Sequence, residues 1–121
     1  MKKSSHLNKR YKYNLRPAYG SEELLLEFFL GTSDSEFVEE LLKTLSDINA
    51  KIDRVEDIWQ NDEMLFHMSS NNGEFLLSKD IWGFAFITSE KNQTCIIFID
   101  QVLEKSNKFE KEIVDFSKYK I

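Results

Sequence analysis

Five carboxylates, Asp53, Glu56, Asp57, Asp62 and Glu63, crowd the stretch around Trp59, and His67 follows a few residues later. Two acids flanking a bond can hydrolyse a glycoside, and grouped acids can hold a divalent cation. Their spacing matches no calcium loop, and a run of this kind more often forms a solvated rim. His67 could act as a base, but the only other histidine, His6, lies in a basic leading segment. The one cysteine, Cys95, sits in an apolar run with no basic neighbour to lower its pKa, so it reads as inert core. No Gly-x-Ser-x-Gly, phosphate-binding loop or dinucleotide fingerprint occurs, and neither Cys-x-x-Cys nor His-x-x-x-His spacing is present. The sequence therefore nominates no catalytic residue, no metal ligand and no cofactor. Hydrolysis by the hairpin carboxylates with His67 stands as the third of three readings.

The same residues suit binding better. An aromatic anchor ringed by polar groups is a common hot-spot arrangement, and Trp59 stands among Glu56, Asp57, Asp62 and Glu63. A second acidic set, Glu36, Glu39 and Glu40, follows on a predicted helix, and both sets are candidate partner contacts. The alternative is that Trp59 caps the core while the acids confer solubility. Both readings of Trp59 stand at this point.

Charge supports the choice of partner. The first twenty residues hold six basic side chains and no acid, whereas the remainder holds 10 basic and 21 acidic ones, against a net charge of −5 for the whole chain. A strongly acidic body repels nucleic-acid and membrane phosphates and speeds association with basic partners. Neither direct nucleic-acid binding nor membrane binding is expected. At 121 residues, with ten Phe, four Tyr and two Trp, the chain suits one packed domain. A single cysteine and the lack of an apolar run after the leading lysines fit a cytoplasmic protein without a signal peptide.

The elements that would position these residues follow from periodicity. Residues 1–10 read as a polar basic tail. Tyr11, Tyr13 and Leu15 alternate up to Pro17, which suggests an edge strand; stacking on nucleic acid is the less favoured use of this arm. Ser21 with Glu22 and Glu23 predicts the start of a helix carrying Leu24, Leu25, Phe28 and Phe29 and ending at Gly31. A second helix, with Ser33 and Glu36 at capping-box spacing, carries Phe37, Val38, Leu41, Leu42, Leu45 and Ile48. A strand over Val55–Gln60, a hairpin through Asn61-Asp62, and strands at 64–68, 75–77, 82–87 and 95–99 then predict an antiparallel meander. Phe109, Ile113 and Phe116, with the i,i+4 pairs Lys108/Glu112 and Lys111/Asp115, predict a C-terminal helix. The expected fold is α+β: N-terminal helices packed on a four- to five-stranded antiparallel meander, with a C-terminal helix. Strands 82–87 and 95–99 are apolar on both faces, so the second face of the sheet needs cover. A terminal segment of the same chain is the first choice and a second chain the other.

In Trp82-Gly-Phe-Ala-Phe-Ile87 and Asn61-Asp62-Glu63, set in a small acidic chain without catalytic motifs, the protein resembles bacterial immunity proteins of contact-dependent growth inhibition. The resemblance implies an antitoxin: a non-enzymatic protein that binds a cognate toxin domain, commonly a basic nuclease, at its active cleft or an exosite. It supplies no residues of its own. The runner-up is a regulatory or structural interaction module, either monomeric or a weak homodimer.

Overall fold

Residues 10–120 are described by a computed structural model; the expected basic tail lies outside this range apart from Arg10. Seven strands form one sheet in the order β3-β4-β5-β6-β2-β1-β7, with β1 at Tyr11–Pro17, β2 at Leu24–Leu30, β3 at Lys51–Ile58, β4 at Glu63–Ser70, β5 at Gly73–Asp80, β6 at Ala85–Thr88 and β7 at Phe109–Lys111. All neighbours are antiparallel except β1 and β7, which run parallel. Helix α1 spans Phe37–Thr44 and continues as a 3-10 turn over Leu45–Ile48; α2 spans Gln93–Lys105.

This overturns the expected architecture. The sheet is a seven-stranded mixed one, and two strands precede the first helix. The segment from Ser21 to Gly31 is not a helix but contains β2. Leu24–Leu30 is a short apolar run broken only by Glu27, and at that length helical and extended spacing look alike. β2 lies between β1 and β6, and both its faces are apolar because Leu26 and Phe28 are buried in the core while Leu25 and Phe29 are half-buried on the other face. Ser21 Oγ accepts from the Glu23 amide at 3.0 Å within a turn, so it caps no helix. Ser33 likewise caps nothing: α1 starts at Phe37, and the Glu36 amide donates to Asp34 Oδ1 at 2.8 Å.

Cys95–Ile99, read as a strand, lies in α2. Asn92 caps this helix by accepting from the Cys95 amide at 3.3 Å, and Cys95, Ile96, Ile99 and Leu103 form its buried stripe. The predicted C-terminal helix is absent: Phe109–Lys111 is β7, and only a 3-10 turn over Phe116–Tyr119 follows. Its presumed i,i+4 pairs serve tertiary contacts, with Lys108 on Glu40 and Lys111 on Asp100 and Glu104. β1 is no edge strand, because β7 flanks it. Trp82 lies in the turn between β5 and β6, and that strand begins only at Ala85.

Both helices pack on one face of the sheet. There Phe37 meets the Tyr11 and Phe28 rings at 5.4 and 5.5 Å between centroids, and Phe109 meets Tyr11 at 5.0 Å. Leu26, Phe66, Met68, Phe75, Leu77 and Ile87 complete this core. On the opposite face, cover is partial. Arg16, 6% exposed, pairs with Glu27 at 2.9 Å and donates to the Pro17 carbonyl. Its guanidinium lies 4.7 Å from the Tyr119 ring and 5.1 Å from Tyr19, so the chain's own C-terminal turn seals this half. Along β4–β6 the same face keeps Leu65, Leu76 and Phe86 only half-buried.

Candidate functional site

β3 and β4 are joined by a 3-10 turn at Trp59–Asn61, closed by Asp62 in the left-handed region at φ 54. Asp tolerates that conformation better than most residues. The turn between β5 and β6 is held by Asp80, whose Oδ1 accepts from the amides of Trp82 at 2.9 Å and Phe84 at 3.0 Å. Glu63 pairs with Ile58 on one side and Asp80 on the other, so both turns lie at the same end of the sheet. Between them is a cleft of about 260 Å³ lined by Asp57, Trp59, Asp62, Glu63, Met64, Lys79, Asp80 and Ile81.

At this corner the helix-bearing face of the sheet runs out of cover. Val55 and Met64 share that face with buried Phe66 and Leu77, yet both are exposed. Trp59 is 73% exposed, Ile81 67% and Trp82 64%. Clustered exposed apolar side chains with a polar rim mark interaction surfaces, because isolated proteins seldom leave such area in water. Among the described residues, Asp57, Asp62 and Glu63 form no ion pair, and no group of three or more His, Cys, Asp or Glu is set to hold a metal ion.

Four candidate residues, Asp57, Trp59, Asp62 and Glu63, thus come together. Glu56 does not join them. It points to the opposite face, where its carboxylate meets His67 Nε2 at 2.5 Å and Arg54 at 3.1 Å. The hydrogen bond to His67, and secondarily the charge of Arg54, hold the Glu56 carboxyl below its ordinary range. His67 and Arg54 border an open groove of about 810 Å³ that also includes Leu76, Thr88 and Lys91. Glu63, the acid considered as His67's partner, lies four residues away along β4, about 13 Å at strand rise. Cys95 is buried in α2 on the other side of the sheet, and burial pushes its thiol pKa up. Among the described residues, no His–Cys pair forms.

Glu36, Glu39 and Glu40 stand elsewhere, beside β1 and β7. Arg10 bonds Asp34, Glu36 and Glu40; Lys108 also reaches Glu40; Lys43 pairs with Glu39 at 3.8 Å. Each of these three glutamates thus has an ion-pair partner within the chain. Sequence reasoning missed Met64, Lys79, Ile81 and Trp82 at the corner. The available signal was Asp80-Ile-Trp-Gly83: Asp and Gly bracketing two large apolar residues describe a turn that exposes them. No family model, curated protein or solved structure matches the chain.

Proposed function

We propose that this chain is a non-enzymatic binding protein that captures and neutralises a basic partner, a toxin domain of the nuclease type, at the β3–β5 corner. The observation that carries the proposal is Trp59, largely exposed between carboxylates that form no ion pair among the described residues. An aromatic anchor desolvated on binding slows dissociation, while the acidic rim accelerates encounter with a basic cleft. The resemblance to growth-inhibition immunity proteins suggests the partner class. The helix pair expected ahead of a meander is not in the fold, so exposure and charge at the corner support the proposal.

The test is protection. The terminal domain of a large product encoded beside this reading frame is expressed with and without the chain. The expected result is growth arrest by that domain alone, rescue by the native chain, and loss of rescue by a Trp59→Ala/Asp62→Lys variant that keeps its thermal midpoint. Rescue undiminished by the variant would move the interface elsewhere. A second reading, self-association through the half-open face carrying Leu65, Leu76 and Phe86, predicts a dimer in sedimentation at micromolar concentration.

A further inference from the structure

We infer that the cleft between the two turns receives an arginine side chain of the partner. The inference rests on the corner being the binding surface and specifies what enters it. Trp59 and Ile81 provide apolar walls, and Asp57 and Asp62 provide acceptors, with Glu63 adding negative charge at the border. Asp80 is engaged with the backbone of its own turn, so it positions the wall and leaves acceptance to Asp57 and Asp62. Lys79 also borders the cleft, but the surrounding acids outnumber it.

Arginine fits this combination better than lysine. A guanidinium is planar, stacks on an aromatic face and offers paired donors to a carboxylate, whereas an ammonium is compact and more strongly hydrated. The chain itself shows the arrangement filled. At Arg16, a guanidinium lies against Tyr119 and Tyr19 while bonding Glu27. The corner repeats aromatic ring and carboxylates, but among the described residues no cation pairs with them, Lys79 included. Charge complementarity therefore assigns the occupant, and the apolar walls accept its methylene stem.

The experiment uses the full chain and Gly-Arg-Gly amide as probe, followed by NMR of the two Trp indole N–H resonances, with Trp82→Phe assigning them. The expected result is a saturable shift of the Trp59 signal, about fivefold weaker binding of Gly-Lys-Gly amide, and about a tenfold loss of Arg-peptide affinity in Asp57→Asn/Asp62→Asn. Equal responses to the two peptides, or no effect of the double variant, would overturn the inference. If Trp59→Ala abolishes capture of the toxin domain while the peptides show no preference, the arginine assignment fails and the proposed function survives. If the peptides behave as expected but toxin capture ignores Trp59→Ala, the cleft chemistry stands and the function assigned to the corner falls.

Discussion

The Arg16 site and the Trp59 corner are built from the same materials, and only one is complete. At the first, Glu27, Tyr19 and Tyr119 surround a guanidinium that the chain supplies, and nearly all of it is withdrawn from water. At the second, carboxylates and an indole face solvent, and Lys79 at the border of the cleft pairs with none of the acids. A filled site of this kind works for folding, since it ties β1, β2 and the C-terminal turn together. An unfilled one gives folding nothing: exposed apolar area and neighbouring like charges are both unfavourable until a partner covers them. The difference separates residues kept for stability from residues available for binding.

The comparison can be broken most forcefully at Arg16. Arg16→Leu leaves Glu27 half-buried without its cation and strips packing from Tyr119. The expected loss is about 3 kcal/mol of stability in denaturant unfolding. A loss below about 0.5 kcal/mol would mean that the site is ornamental. Next in size, charge reversal of Asp57 and Asp62 together should weaken toxin-domain binding by about 100-fold, mostly through association rate and less so at high salt. Its effect on stability should stay within about 0.5 kcal/mol, as for surface positions generally. Calorimetry or surface plasmon resonance beside a melting curve separates the two. Charge reversal at Glu39, by contrast, should change binding by no more than about threefold, because that acid lies on α1 beside Lys43.

The smallest effect concerns Asp34. The Glu36 amide and Arg10 hold its carboxyl below the ordinary range. Stability from this shift is fully present above the unfolded carboxylate pKa of about 4 and is lost as pH falls through the lower folded value. Asp34→Asn should therefore lower stability by a small constant amount above about pH 4, and the difference from the native chain should shrink as pH falls below it, flattening the acid limb.

How much of this was legible depended on whether the signal was local. Asp62 closing the β3–β4 turn and the amphipathic stripe of Phe37, Leu41 and Leu45 could be read directly, because a turn and a helix face are fixed by neighbours in sequence. Leu24–Leu30 and Cys95–Ile99 were exchanged, helix for strand and strand for helix. Each is a short apolar run, and what decides between them lies outside the run: β2 gains two strand neighbours, while Asn92 caps α2. Charge patterns misled where the partner was distant. Lys111 lies four residues from Asp115 but bonds Asp100 and Glu104, next to the Tyr13 hydroxyl that donates to Asp100 at 3.1 Å. At the corner, Asp57, Trp59, Asp62 and Glu63 belong to one hairpin and were found together. Ile81 and Trp82 come from a second turn, which only strand pairing brings alongside.

The parallel pairing of β1 with β7 places the first described strand beside the last. During synthesis, β1 and β2 can meet early, but the outer side of β1 lacks its β7 partner until the chain through Lys111 has left the ribosome. For that interval Tyr11 and Phe28 lack the Phe109 ring that packs against both, and the peptide groups on that side of β1 stand open to neighbouring chains. Truncation within the last dozen residues before Phe109 would make that transient state permanent, so shortened products of this chain should be insoluble rather than merely weakened.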